Sequence, residues 1–323
     1  MIFVLDDIKY DFLRQNPDLK NIAYLVVSGS HSYGTNNENS DIDLRGFLVE
    51  GKKYLLGSES FEQFEDLPTD TVIYGMKKFF RLCLAANPNA LELLGADEEC
   101  IALINESGQK VRDNADLFLS KRVINSFGNY ASAQLRRLSN ALCHDQFSLK
   151  QQEKHLKETL LREIDHFNRT YSSFDKNAIR LHNDEGNQIL MDIKLEGYPV
   201  RDFVGIYSEM RETVKTFDKL KHRNRKKDEM HLFKHAMHLM RLLITGTDIL
   251  DGRGIITKRM KEHDLLMDIR NGKYSYEDIF LMAEEYRTKF EIAAKNTKLP
   301  DKPDTLRIKK LQIDLFEDYL TKE

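Results

Sequence analysis

Along the first third of the chain, apolar residues occur in short runs that are separated by polar and glycine-containing turns. Short apolar runs bounded by small residues are typical of buried β-strands, whereas helices show apolar residues three and four apart. Runs of the first kind predict strands over residues 24–27, 41–49 and 71–74. Helical spacing predicts helices over residues 6–20, 76–86 and 90–94. The stretch 55–66 has no clear period and suits a loop or a short strand.

From residue 120 the spacing changes to that of long amphipathic helices. Their ends are marked by a capping box from Ser148 to Gln151, a second cap at Ser275 and a glycine stop at Gly246. The predicted helices span residues 120–142, 148–171, 199–217, 230–245, 257–271, 275–296 and 305–320. Two apolar runs flank a polar, glycine-containing loop, which predicts a β-hairpin near residues 178–195.

These elements predict an α+β fold with two domains. Residues 1–110 are expected to form a small domain in which helices flank the sheet. Residues 111–323 are expected to form a mostly helical domain that carries the hairpin. The hydrophobic content of 41% in a chain of 323 residues is sufficient for packed cores in both domains.

Composition excludes several classes of protein. No apolar run approaches the roughly 20 residues that a membrane span needs. The first residues lack the basic flank and the cleavage site of a secretion signal. Three widely spaced cysteines, Cys83, Cys100 and Cys143, favour reduced thiols over a disulfide or zinc framework. A cytoplasmic protein without a membrane partner is therefore expected.

The formal net charge of −3 argues against a protein that binds polyanions over its whole surface. The charge is uneven, however, because residues 221–227 contain five Lys or Arg residues. Such a run is either a solvated helix end or a contact for a nucleic-acid backbone, and the sequence favours neither.

The polar residues that follow the first strand are suited to binding a phosphate and a divalent cation. Gly29 allows close approach of the backbone, and with Ser30 it offers amide hydrogens and a hydroxyl to an anion. Asp41 and Asp43 are two residues apart, so on a strand their carboxylates point to one face. Carboxylates beside a phosphate cradle are the ligands that an Mg²⁺ or Mn²⁺ ion needs when it bridges to substrate phosphates.

Two motifs in this order resemble those of the DNA polymerase β-type nucleotidyltransferase superfamily. Residues 29–34 are G-S-H-S-Y-G and residues 40–46 are S-D-I-D-L-R-G. They match the G-S-x-x-Y-G and S-D-x-D-x-R-G patterns of the RNA-repair-pathway, polymerase-β-like family within that superfamily. Residues 70–94 are similar to the same family, with a strand, a Lys-Phe-x-x-Leu helix and an Asn-Pro-x-x-Leu-Glu turn. The resemblance implies a polymerase-β-type catalytic domain with a mixed sheet, followed by a helical domain that faces the catalytic cleft.

The resemblance also implies metal-dependent transfer of NMP from an NTP to a hydroxyl. Two metal ions need shared carboxylates, typically three. The expected metal-binding and catalytic residues are Asp41, Asp43 and, at the start of the third strand, Asp70. The rivals for the third position are Glu62, Glu65 and Asp66.

Gly29 and Ser30 are expected to hold the β- and γ-phosphates of the NTP. Ser40 either assists them or caps the turn before the Asp-x-Asp motif. Arg45 either clamps a phosphate or pairs with Asp43. A basic stripe on the helix over residues 230–245 is a further candidate for phosphate contacts, with solvated charge as the alternative, and its residues are Lys234, His238 and Arg241.

Three functions are compatible with these residues. The first is a nucleotidyltransferase whose acceptor is an RNA 3′ end, a small molecule or a protein side chain. The second is a non-catalytic, antitoxin-like module that binds nucleotide or nucleic acid. The third is a metal-dependent phosphohydrolase, which would not need the Gly-Ser cradle. The intact motifs favour the first function, while the NTP, the use of a template and the oligomeric state stay open.

Overall fold

The computed structural model describes residues 5, 7–38, 40–146, 149–171, 173–186, 188–221 and 229–322. The chain divides into two compact units. The first unit comprises residues 1–132 and 237–323, and the second comprises residues 133–236. This division is structural and not functional, so the predicted functional boundary at residue 110 stays a prediction.

The architecture is α+β, as predicted, with a five-stranded mixed sheet and a two-stranded hairpin. The strands are β1 (Ile22–Ser28), β2 (Asp43–Leu48), β3 (Gln63–Asp66), β4 (Thr71–Gly75), β5 (Ile101–Ile104), β6 (Ile179–Asn183) and β7 (Ile189–Ile193). The helices are α1 (Phe12–Gln15), α2 (Gly29–Tyr33), α3 (Lys52–Leu55), α4 (Met76–Leu84), α5 (Pro88–Leu94), α6 (Glu106–Asp113), α7 (Arg122–Gln146), α8 (Leu149–Thr170), α9 (Val200–Lys221), α10 (Glu229–Leu250), α11 (His263–Arg270), α12 (Tyr276–Asn296) and α13 (Thr305–Lys322). Short 3-10 turns lie at Ile8–Tyr10, Pro17–Leu19, Glu98–Cys100, Ala115–Phe118 and Lys176–Ala178.

The five strands of the first unit are arranged in the order β3-β4-β2-β1-β5. β2 and β4 run parallel, and the other pairs are antiparallel. The register places Ser28 opposite Asp43, and Leu44 beside Thr71. The C-terminal end of β1 therefore lies beside the N-terminal end of β2. Both motifs lie at these strand ends.

Each face of the central strands packs against a different part of the chain. One face packs against the N-terminal segment, through Tyr10, Leu19, Leu25, Val27, Leu44, Leu48 and Ile73. The other face is covered by α4, and the Phe47 and Phe79 rings stack there at a centroid distance of 4.4 Å. Burial on both faces explains why β1 is apolar throughout rather than alternating.

The predicted helix over residues 6–20 is interrupted, and residue 6 lies outside the described residues. Asn16 has an extended backbone, with ψ of 114°, because Pro17 disfavours the helical conformation in the residue before it. The Asn16 side chain then accepts a hydrogen bond from the Asp18 amide at 3.0 Å and caps a new turn. Segments on either side of Asn16 are consequently a short helix and a 3-10 turn.

Two predicted helices in the C-terminal part of the chain begin or end at the wrong residue. Gly246 lies inside α10 instead of ending it. A methyl group on Gly246 would lie 2.6 Å from the Phe290 ring and 3.2 Å from Phe127, so the glycine serves close packing between helices. The predicted helix over residues 257–271 begins only at His263, because the preceding segment makes hydrogen bonds to α5 and α2.

The second unit contains α8, α9 and the predicted hairpin, which the structure confirms as β6 and β7. Its core includes Ile164, Phe167, Phe174, Ile179 and Ile206. The predicted cap at Ser148 and residues 222–227 of the basic run lie outside the described residues. Within the part of the chain that is described, no helix has the length and apolar composition needed to cross a bilayer.

The packing of Gly246 generates the first testable prediction. Gly246→Ala adds a methyl group where the Phe290 ring leaves no room, and overpacking of this kind lowers the free energy of unfolding by about 1–3 kcal/mol. Gly128→Ala is the matched control, since its methyl group would lie 3.6 Å from the same ring, at ordinary contact distance. The control should be neutral or stabilising by up to about 1 kcal/mol through helix propensity. Urea denaturation measures the free energy of unfolding of both variants. Equal changes in the two would contradict the conclusion that Gly246 is needed for close packing against Phe290.

Candidate functional site

The bend between β1 and α2 is in direct contact with the first residue of β2. Gly29 has a φ of +66°, and a methyl group built on it would lie 2.3 Å from Oδ2 of Asp43. The Ser28 hydroxyl donates a hydrogen bond to the Asp43 carbonyl oxygen at 3.2 Å. The Gly-Ser motif and the second carboxylate of the Asp-x-Asp motif are therefore in contact, while their predicted roles in binding phosphate and metal stay predictions.

Asp41 and Asp43 differ in their surroundings. Asp43 begins β2 and is half-buried, whereas Asp41 is exposed in the irregular segment before the strand. Ile42, between them, packs against the apolar core. The strand thus begins two residues later than predicted, and the strict alternation that would place both carboxylates on one strand face does not extend to Asp41.

Asp70 lies beside this segment, but its side chain has a different partner. The parallel register of Leu44 with Thr71 brings Asp70 next to the start of β2. Asp70 has a φ of 45°, in the left-handed region, and its Oδ1 accepts a hydrogen bond from Nη2 of Arg45 at 2.6 Å. The Asp70 carbonyl oxygen accepts the Leu44 amide and a further guanidinium hydrogen of Arg45. Arg45 therefore pairs with Asp70, and the sequence alternative of a pair with Asp43 is not seen.

The rival carboxylates are engaged on the far strand and its flanks. Glu62 pairs with Arg81, and Asp66 accepts hydrogen bonds from Thr69. Glu65 accepts a hydrogen bond from the Gln63 side chain. Among the described residues, no three His, Cys, Asp or Glu side chains form a group that could hold a metal ion. The structure brings Asp43 to the Gly-Ser bend, and it does not assemble a carboxylate triad there.

A buried polar cluster contacts the last residue of α2, Tyr33. The Tyr33 hydroxyl donates a hydrogen bond to Oε2 of Glu92 at 2.9 Å, and the Arg241 guanidinium pairs with Oε1 of the same carboxylate. The guanidinium also lies over the Tyr33 ring, 3.7 Å from its centroid. Burial is the main cause that raises the pKa of Tyr33 well above its usual range, so this phenol stays protonated at neutral pH. α5 and α10 are thereby joined to the helix that begins with the Gly-Ser motif.

The predicted basic stripe on α10 is divided between two environments. Arg241 is buried, with 4% of its surface exposed, and its charge is directed at Glu92. His238 contacts the Tyr33 ring edge to face at a centroid distance of 6.3 Å. Lys234 is exposed and belongs to the second unit. Sequence spacing identifies these residues as neighbours on one helix, but it cannot identify the buried carboxylate that holds Arg241.

Glu92 is the residue of this cluster to which the sequence assigns no role. It stands in the Asn-Pro-x-x-Leu-Glu turn, whose Asn87 caps α5 by accepting the Ala90 amide at 3.3 Å. A glutamate on the apolar side of a short helix is a signal of a buried partner, because an unpaired buried charge is destabilising. The tyrosine of the first motif and the glutamate of this turn are hydrogen-bonded to each other, which explains their joint presence.

The sequence profile of the RNA repair pathway DNA polymerase beta family matches residues 11–314. The chain belongs to this family. The match confirms the resemblance carried by the motifs and extends it through the second unit to α13. Membership of the RNA repair pathway DNA polymerase beta family supports a nucleotidyltransferase-type role. No curated protein and no solved structure gives a significant match.

The residues at the bend are compatible with a divalent cation of the magnesium type. Mg²⁺ is commonly held by one or two carboxylates and completes its shell with water and substrate phosphates. Asp43 lies against Gly29, and Asp41 is exposed two residues before it. The donor set is therefore sufficient for one ion that is shared with a triphosphate, while a second ion would need a further carboxylate.

The contact between Gly29 and Asp43 is testable by a paired substitution. Gly29→Ala and Gly34→Ala both place alanine at positive φ, which costs about 1–2 kcal/mol each. The added methyl of Gly29→Ala also meets the Asp43 carboxylate at 2.3 Å, whereas that of Gly34→Ala has its nearest neighbour, Lys258, at 3.7 Å. Thermal denaturation should show the larger loss for Gly29→Ala. A loss no greater than that of Gly34→Ala would contradict a fixed position of the Asp43 carboxylate against Gly29.

The buried ion pair between Arg241 and Glu92 is testable by a double-mutant cycle. Arg241→Met leaves a buried carboxylate without its cation, and breaking such a pair lowers the free energy of unfolding by about 3–5 kcal/mol. Glu92→Gln in the same background removes the unpaired charge and should recover part of this loss. Denaturant titration of Arg241→Met, of Glu92→Gln alone and of the double variant gives the coupling energy. Additive losses would show that the two groups do not interact.

Proposed function

We propose that this protein is a metal-dependent nucleotidyltransferase that transfers NMP from an NTP to a hydroxyl group of RNA. The observation that carries the proposal is that the Asp43 carboxylate lies where a side chain at Gly29 would begin, in a chain of a polymerase β family. In the proposal, the bend binds phosphate and the carboxylate binds metal, and nucleotidyl transfer needs these two functions side by side.

Within this proposal, the bend binds the triphosphate and the carboxylates bind the metal. The backbone amides at Gly29 and Ser30, with the Ser30 hydroxyl, hold the β- and γ-phosphates. Asp41 and Asp43 hold Mg²⁺ or Mn²⁺, which when bound offsets negative charge on the reacting phosphate oxygens. The carboxylate nearest the acceptor hydroxyl accepts its proton.

The remaining predicted residues have supporting roles in the proposal. Asp70 is held by Arg45 at the edge of the site, and it would serve as a third ligand only after leaving this pair. Ser40 both accepts the Asn37 amide at 2.8 Å and donates to its side chain at 3.0 Å, which favours its role as a local cap. We assign Arg241 a structural role, because it is buried against Glu92.

His238 keeps its predicted role as a phosphate contact in the proposal, since it is half-buried beside Tyr33. Lys234 belongs to the second unit, so its predicted phosphate contact stays a prediction. We propose RNA as the acceptor because the family takes its name from an RNA repair pathway. A small molecule or a protein side chain is the alternative acceptor.

The decisive experiment is incubation with each α-labelled NTP, RNA and Mg²⁺ or Mn²⁺. Asp43→Asn removes the metal-binding charge without changing the shape of the side chain, and it should reduce labelling of RNA by about 100-fold or more. Asp41→Asn should also reduce labelling. Asp264→Asn is the matched control, because its side chain is fully exposed on α11 and distant in sequence from the motifs.

Each other outcome identifies an alternative function. Binding of NTP without turnover by the unmodified protein would support a non-catalytic module. Release of phosphate without label on RNA would support a phosphohydrolase. Label on a small molecule or on the protein itself would keep nucleotidyl transfer and change the acceptor.

A further inference from the structure

Arg270 is a buried arginine that spans the connection between the two motifs. It is the last residue of α11, and 8% of its surface is exposed. One guanidinium nitrogen, Nη1, donates to the Thr35 carbonyl oxygen. The other, Nη2, donates to the Ser40 hydroxyl at 3.2 Å. A single side chain from the C-terminal part of the chain thus contacts the segment just after α2 and the residue just before Asp41.

These two contacts belong to a continuous path of hydrogen bonds. The Thr35 amide donates to the Ser30 carbonyl oxygen at 2.8 Å, so the position of Thr35 is tied to the phosphate-binding bend. Ser40 is covalently joined to Asp41. Arg270 therefore connects the residue bonded to Ser30 on one side with the residue joined to Asp41 on the other.

The charge of Arg270 has no acidic partner among the described residues. Two other buried arginines of the first unit each have one, since Arg241 pairs with Glu92 and Arg259 pairs with Asp248. Burial lowers the pKa of Arg270, and no nearby acid opposes this effect. Burying a guanidinium that is held only by a carbonyl and a hydroxyl lowers the free energy of unfolding. A contribution to the stability of the fold therefore does not explain why Arg270 is at this position.

We propose that Arg270 is a positioning residue for nucleotidyl transfer, which holds the Ser40–Asp41 segment at a set distance from Ser30 through its two-pronged contact with Thr35 and Ser40. The inference rests on the proposed function, because Ser30 and Asp41 are the phosphate and metal contacts in that proposal. A planar guanidinium reaches two acceptors at once, whereas an ammonium group is a point donor. The positive charge is compatible with a site that receives a triphosphate.

Arg270→Lys tests the two-pronged contact while it retains the charge. In the absence of any nucleotide, hydrogen exchange measured by mass spectrometry should be faster by about 10-fold in peptides that cover residues 35–44, and unchanged in peptides from β5 and α13, because the loop alone loses a tether. With labelled NTP and RNA, kcat should fall by about 10- to 100-fold, since small misplacements of a reacting group have effects of this size. KM for the NTP should change much less.

Arg259→Lys is the matched control for a structural role. Arg259 is also buried, and its side chain contacts Asp248 and Thr245 instead of Thr35 and Ser40. Only its backbone amide, which the substitution retains, contacts the first motif, at the Tyr33 carbonyl oxygen. This control should lower the melting temperature without selective exchange at residues 35–44. Ser40→Ala removes one prong, so it should give a smaller effect in the same direction, and it should add little to Arg270→Lys.

The inference would be overturned if Arg270→Lys had the same hydrogen-exchange rates and the same kinetics as the unmodified protein. It would also be overturned if exchange became faster by the same factor in all peptides. The exchange measurement needs no substrate, so it stands even where no label is transferred. Absence of transfer by the unmodified protein would refute the proposed function alone. Transfer by the unmodified protein with a fully active Arg270→Lys variant would refute the positioning role alone.

Discussion

The contact on which the structure of the site depends is the one between a carboxylate and a glycine α-carbon. Asp43 occupies the space where any other residue at position 29 would carry its β-carbon. The left-handed backbone of Gly29 turns the chain from β1 into α2 at the same point. One position therefore satisfies two demands, since it forms the bend and admits the acidic side chain of the next strand.

The sheet supplies the rigidity that this contact requires. β1 and β2 are antiparallel neighbours inside the sheet; β1 is buried on both faces, and β2 is buried except at the half-buried residues Asp43 and Arg45. Residues from the C-terminal part of the first unit then hold α2, the helix of the first motif. Arg241 acts through Tyr33 and Glu92, and the Arg259 amide donates to the Tyr33 carbonyl oxygen at 3.2 Å. The motif at the start of the chain is consequently ordered by helices that are distant in sequence.

Sequence patterns predicted the parts of the fold that depend on local periodicity. The three strands, the long helices and the hairpin follow from apolar spacing and turn residues, and the Ser275 capping box is present at the start of α12. The patterns failed where a distant contact decides the conformation. Gly246 resembles a helix stop, yet its lack of a side chain serves the Phe290 ring across an interhelical contact. β3 is a four-residue strand of mostly polar residues, so it leaves no apolar run to detect, and β5 is a four-residue apolar run too short to be distinguished from a helix segment by spacing.

The same distinction applies to the site. Adjacent motif residues were identifiable from their spacing, and Gly29 and Asp43 do meet. Partners of charged residues were not identifiable, because Arg45 with Asp70 and Arg241 with Glu92 join segments that are far apart in sequence. Spacing along a strand also predicted a shared face for Asp41 and Asp43, but the strand begins at Asp43. Ion pairs between residues that are distant in sequence can therefore be identified only from the three-dimensional structure. The chemistry of residues that are close in sequence can be inferred from the sequence itself.

The central claim is that a divalent cation binds between the Asp-x-Asp motif and a triphosphate held at the Gly-Ser bend. The most direct test is a crystal structure with Mn²⁺ and a non-hydrolysable NTP analogue, in which anomalous scattering locates the metal. The account predicts a manganese peak in contact with Asp43 and a phosphate oxygen, with the triphosphate at Gly29 and Ser30. A triphosphate bound elsewhere, or manganese without a contact to Asp43, would contradict it.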